Sequence, residues 1–261
     1  LEELTSQVVG ASLGQEAIST ALTAAAIGLA LIIIFLIAFY WIAGVATSLG
    51  LLIYTTAVVA VIYLFEVTLT LPGIAGIILG IGMAVDANVV INARIKEELA
   101  LGKSTGAAIK TGYQKALSAI IDGNVTTLIA AAVLAVKGSG TVKGFAYTLA
   151  IGIILSMVTA LIVTRYSMYA IHAIGFKDVK YYGVAKERKV VDFISKRFVF
   201  FIVSVVLIGA GFVAEGVNAA GGKGAFNYSL EFVGGTSTTV DLGKNYELSE
   251  IDSEIVPLIN E

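Results

Sequence analysis

The sequence predicts an all-α polytopic membrane bundle of six spans, followed at the C-terminal end by the start of an α+β extracytoplasmic domain. Three observations carry this. Of the 261 residues, 57% are hydrophobic and 14% charged, against about 25% charge in an ordinary soluble domain, and the mean hydropathy is +0.92. No Asp, Glu, Lys or Arg occurs between Ala17 and Phe65, a stretch long enough for two crossings at about 20 residues each. Beyond residue 217 the pattern changes to short alternating runs and glycine pairs.

Residues 1–16 form a polar lead-in, read as the end of an extracytoplasmic domain. The apolar segments fall at about 18–40, 45–65, 72–93, 117–136, 145–168 and 198–216. Tyr40-Trp41 closes the first as an interfacial aromatic pair, and Gly44 suits the tight connection that follows. Pro72 opens the third at a position where a helix tolerates proline. The segment 104–116 is read as either a short amphipathic interfacial helix or a solvated connector. Residues 169–196 read as a cytoplasmic linker. The chain begins with Leu1 and ends at Glu261 in what reads as mid-domain, so it is expected to be a piece of a longer protein.

Arg94, Lys96, Lys103, Lys110 and Lys115 separate spans three and four. Eight further basic residues, from Arg165 to Arg197, separate spans five and six, and only Lys137, Lys143, Lys223 and Lys244 fall on the other side. The positive-inside rule places 94–116 and 169–196 in the cytoplasm, and the N-terminus and 217–261 outside. In the tail, 227–232 and 236–242 read as strands around Gly234-Gly235, and 247–258 as a helix.

Cysteine is absent, which excludes disulfides and thiolate metal sites, and the single histidine, His172, offers no metal triad. Gly80-x-Gly82 lacks the strand–helix setting of a dinucleotide fingerprint, and the sequence contains no Walker A pattern. No cofactor and no nucleic-acid partner are expected, because the basic residues gather at membrane edges. Membrane lipid is the expected surrounding.

The chemistry concentrates on two acids. Asp86 lies 14 residues past Pro72 and 8 before Arg94, about 21 Å and 12 Å from the two edges at 1.5 Å per residue. A charge at such depth costs at least about 2.5 kcal/mol, so the group either takes up a proton or pairs with a cation in a wet cavity. A neutral Asp bonded to a neighbouring helix is the structural alternative. Asp122, seven residues past Lys115 on an antiparallel span, reaches a similar depth and is the second proton-relay candidate. Asn88, Asn124, Thr126 and Thr127 are expected to line the polar interior. Gly73, Gly76 and Gly80, continued by Ala84 and Ala87, form a close-packing stripe. At 100° per residue Asp86 points about 120° away from that stripe.

The run Thr68-Leu-Thr-Leu-Pro-Gly-Ile-Ala-Gly-Ile-Ile-Leu-Gly-Ile-Gly-Met-Ala-Val-Asp-Ala-Asn-Val-Val-Ile91, continued by Arg94-Ile-Lys-Glu-Glu-Leu99, closely resembles the SecD family. So do Ala119-Ile-Ile-Asp-Gly-Asn-Val-Thr-Thr-Leu-Ile-Ala-Ala131 and Gly138-Ser-Gly-Thr-Val-Lys-Gly-Phe-Ala146. Arg197 to Val213 and Tyr228-Ser-Leu-Glu-Phe-Val-Gly-Gly-Thr236 resemble the start of SecF, with Glu231 where that family carries Asp. The resemblance implies a fused SecD–SecF chain of the resistance-nodulation-division-like (RND) superfamily: a five-span SecD bundle at 17–168, a first SecF span at 197–216 and a SecF extracytoplasmic domain from 217. It implies a proton-driven, ATP-independent role in protein export, with the SecYEG translocon, SecA and exported preproteins as partners. Asp86 matches the family's proton-pathway aspartate, whose charged counterparts belong to the SecF half. A non-transporting scaffold of the translocon and another RND-type exporter are the alternative readings.

Overall fold

The computed structural model describes residues 11–138, 140–183, 194–220 and Phe226. They fall into two units, divided between Glu187 and Arg188. Among the described residues five helices are long and apolar enough to cross a membrane, and no strand occurs. The expected strands at 227–232 and 236–242 and the helix at 247–258 lie outside the described residues.

Helix α1, Ala11–Leu64, covers both of the first two expected spans. As a straight rod its 54 residues would run about 81 Å, far more than the roughly 30 Å hydrocarbon core. It is not straight. Trp41 has φ 51° and ψ −122°, a left-handed conformation that costs a side-chain-bearing residue about 1–3 kcal/mol. The chain reverses there, and a Cβ on Gly44 would sit 2.9 Å from the Ile37 Cα, so only glycine fits. Lys96 reaches over from the next helix, where its Nζ donates to the Phe39 carbonyl at 2.7 Å and lies 4.6 Å from the Tyr40 ring centroid. Leu36 and Leu51, on opposite sides of the break, enter one apolar cluster with Tyr54, Val58 and Ile81.

Helix α2, Leu71–Ala100, is the hub, in contact with α1, α3 and α4. Its start is set by Thr70, whose Oγ1 accepts from the Gly73 amide at 3.0 Å, and by Pro72 in the first turn. It runs seven residues beyond the expected end at Ala93.

Of the two readings of 104–116, helix or connector, helix α3, Thr105–Lys137, fits the helical one, though the helix is not a separate short one but continuous into span four. Thr105, Ala108, Ile109, Gly112, Tyr113 and Ala116 are buried, one face at helical spacing. Thr105 Oγ1 also donates to the Lys177 carbonyl at 2.6 Å.

The fifth expected span is longer too. Helix α4, Thr141–Val158, continues through a π-helical turn, Thr159–Thr164, into α5, Arg165–Ile174. The π turn packs on α1, where a Cβ on Gly50 would meet Thr164 Oγ1. The 169–183 part of the expected linker thus begins as helix, and a 3-10 turn, Val179–Tyr182, returns to bury Tyr182 in the cluster around Ile91, Ile95 and Tyr113. In the second unit, α6, Arg197–Ala220, is the fifth apolar helix.

Candidate functional site

Met83, Asp86, Ala87 and Val90 share one face of α2, at helical spacings of three and four. Ala119, Ile120, Gly123, Asn124 and Thr127 repeat that spacing on the antiparallel α3. The two faces enclose a groove of about 150 Å³. It is small, and its mouth is polar because Asp86, Asn124 and Thr127 stand on it. The Asn124 amide donates to the Ile120 carbonyl at 2.7 Å, and the Thr127 hydroxyl to the Gly123 carbonyl at 3.0 Å. Asp86 itself is exposed, with no hydrogen bond or ion pair among the described residues.

Asp122 stands apart from the groove lining. It is exposed, and its Oδ2 accepts from Ser118 Oγ at 3.3 Å. Thr126, also exposed, donates to the Asp122 main-chain oxygen at 2.8 Å. Asn88 is buried on the far side of α2, its amide donating to the Ala84 carbonyl at 3.0 Å. The groove therefore joins Asp86 to Asn124 and Thr127, and leaves Asp122, Thr126 and Asn88 on other faces.

Gly73, Gly76 and Gly80 are all buried. They face a matching row on α4 that the sequence reading did not single out, Gly144, Thr148 and Gly152. A Cβ on Gly73 would lie 3.6 Å from the Gly144 backbone, and one on Gly80 3.7 Å from the Gly152 Cα. Thr148 joins the two helices, its hydroxyl donating to the Gly73 carbonyl at 3.0 Å. Tyr54 of α1 is almost fully buried and brings its hydroxyl between Gly80 and Gly152.

Glu98 is the largest omission of the sequence reading. It is 1% exposed and pairs with Lys103 at 2.5 Å and Lys115 at 2.6 Å. These ion pairs clasp the end of α2 to α3 across the turn that closes the hairpin below the groove. The signal in the sequence was a Glu flanked by two lysines at the predicted inner edge. Asn92 is likewise buried, and its Nδ2 donates to Thr47 Oγ1 at 3.1 Å.

Long apolar helices, small-residue crossings and a polar groove built on an exposed Asp define a helical multi-pass membrane protein. The family model described as protein export membrane protein SecD/SecF, C-terminal, matches residues 1–173, and the chain belongs to that family. The protein translocase subunit SecD of Acidaminococcus fermentans is 47% identical over 184 residues, 70% of this chain and 44% of the relative. That of Treponema pallidum is 52% identical over 165 residues, 63% of this chain and 28% of the relative. The crystal structure of SecDF from Thermus thermophilus, described as a translocon-associated membrane protein, superposes with a TM-score of 0.76 at 34% identity, over 87% of this chain and 31% of that one. SecDF in its super-membrane-facing form gives a TM-score of 0.66 at 35% identity, over 83% and 28%. The chain spans less than half the length of these relatives.

Proposed function

We propose that this chain is the SecD-side membrane core of an accessory subunit of the Sec translocon, which draws on the proton gradient rather than ATP to assist export of preproteins beside SecYEG and SecA. The observation that carries the reading is Asp86, set in the α2–α3 groove with Asn124 and Thr127 and free of any partner among the described residues. A carboxylate in a span is costly when charged and cheap when protonated. Proton uptake at Asp86 removes the charge, lets the groove close against an apposed helix, and so converts a proton into helix movement. Asn124 and Thr127 keep water at the mouth, the supply line for the proton. Asp122, near the same depth on the next face of α3, is the secondary relay candidate.

In this reading the break at Trp41 divides α1 into two spans, which gives six spans with α6. The α2–α3 turn and the connection after α5 lie in the cytoplasm of a cytoplasmic-membrane protein. The five-span SecD bundle occupies 17–168, the linker 169–196, the first SecF span 197–216 and its extracytoplasmic domain 217–261.

The test is preprotein translocation into inverted membrane vesicles carrying the full-length protein, with and without a proton gradient. Asp86→Asn is expected to abolish the gradient-dependent increment and leave the gradient-free rate unchanged. An Asp86→Asn protein that keeps the increment overturns the proton role and favours a scaffold that needs only the packing of α2.

A further inference from the structure

A second cavity lies at the opposite end of the bundle from the Glu98 clasp, where α1 ends and α2 and α4 begin. It is a groove of about 640 Å³. Its long wall is apolar, formed by Val61 at the end of α1, Phe65 in the turn that follows, and Ile151 and Ile154 from α4. Lys143 stands at its rim beside Thr70. Eleven residues separate Lys143 from Ile154, about 16 Å along the helix, comparable to half the hydrocarbon core.

Three features fix what such a groove accepts. The deep part offers almost no polar atoms, so water there would lack partners. Phe65 and Ile154 remain exposed, which leaves the groove open sideways to the bilayer. The rim carries a cation that makes no ion pair among the described residues, and no carboxylate lines the groove. Beside Lys143, α4 starts at Thr141 after Gly140, with no side chain among the described residues capping its first amides, which adds the weak positive field of a helix N-terminus. An occupant needs an apolar tail of membrane length and an anionic head. We infer that this groove is a site for an anionic phospholipid, its acyl chain along Ile151 and Ile154 and its phosphate at Lys143.

The experiment uses the full-length protein in mild detergent, incubated with equal amounts of dioleoyl phosphatidylglycerol and dioleoyl phosphatidylcholine and read by native mass spectrometry. Retention of phosphatidylglycerol over phosphatidylcholine by about five-fold is expected, the ratio that one basic side chain beside an anionic headgroup supplies. Lys143→Gln brings that ratio to about one, whereas Lys137→Gln leaves it unchanged. Ile151→Trp, which fills the groove, lowers retention of both lipids. A wild-type ratio near one, or a ratio that survives Lys143→Gln, overturns the proposal. So does a photo-crosslinker at position 147 that captures another segment of the protein and no lipid, because the groove is then a seat for protein. Lys143 is exposed, so its replacement leaves the fold intact, and unchanged thermal unfolding verifies that.

Discussion

The Tyr54 hydroxyl lies where a Cβ on Gly80 would have to go, 2.7 Å from that position. The next nearest atoms, the Gly152 Cα and Tyr54 Cζ, are at 3.7 and 4.0 Å, ordinary contact distances. One oxygen therefore decides what Gly80 tolerates. That oxygen is buried and has no hydrogen-bond partner among the described residues.

Gly80→Ala is expected to destabilise the bundle by about 1–3 kcal/mol, the range for overpacking a filled interior. Tyr54→Phe removes the obstructing atom, and because the hydroxyl is unpartnered its loss is close to neutral. The double variant should recover most of the single variant's loss. Unfolding in mixed micelles checks this, and a double variant as unstable as Gly80→Ala would show that the helix backbones, not the hydroxyl, set the limit.

The tight turn gives a contrasting case. At Gly44 the atoms in the way are the backbone of Leu36 and Ile37, which cannot rotate aside. Gly44→Ala should cost more than 3 kcal/mol, enough to lower accumulation in the membrane. Gly82→Ala has nothing within 4 Å of the added methyl and should be neutral or slightly stabilising, since alanine favours helix over glycine by about 1 kcal/mol. Equal accumulation of the two variants would contradict the reversal at Trp41.

The clasp at Glu98 predicts an asymmetry. Lys103 and Lys115 are about half exposed, whereas Glu98 is buried. Glu98→Gln leaves two lysines that water can solvate; Lys103→Gln with Lys115→Gln leaves a buried carboxylate without a counter-charge, the costlier outcome. The lysine double variant should therefore melt at a lower temperature than Glu98→Gln. The reverse order would mean that the carboxylate is solvated and the clasp contributes little.

Asn92 and Thr47 should couple by about 0.6 kcal/mol in a double-mutant cycle of Asn92→Ala with Thr47→Ala, the average for side-chain hydrogen bonds between membrane helices. A coupling of zero by thermal or denaturant unfolding would remove this bond from the set that ties α1 to α2.

Much of this was legible beforehand. Charge-free runs mark the apolar helices because a membrane tolerates little else, and Gly73, Gly76 and Gly80 announced a close crossing because spacing alone puts them on one face. The partner row of Gly144, Thr148 and Gly152 went unread, since a threonine interrupts the glycine pattern; its side chain is small enough to fit and its hydroxyl returns to backbone carbonyls. Residues 104–116 read ambiguously because Ser104, Thr105, Lys110, Thr111, Gln114 and Lys115 mask the apolar face of Ile109 and Tyr113. For Asp122, counting residues gives its height in the membrane but not its azimuth. One residue is 100° of rotation, and that separates Asp122 from the groove that Gly123 and Asn124 line. Nearby lysines marked Glu98, but its burial was not legible, because it depends also on Lys115, which the chain brings back only after the turn between helices.

The π turn at Thr159–Thr164 sits between two stretches of one rod with different obligations. Before it, Gly144, Thr148 and Gly152 lie against α2; after it, Met168 is buried in the cluster with Tyr113 and Tyr182, and Arg165 lies 5.7 Å from the Tyr113 ring centroid. A wide turn takes up extra residues and so resets the phase of everything downstream. It works as a coupling between two shafts set at different angles. The phase change lets one continuous rod serve two partners, the glycine row turned to α2 and the α5 face turned to Tyr113 and Tyr182.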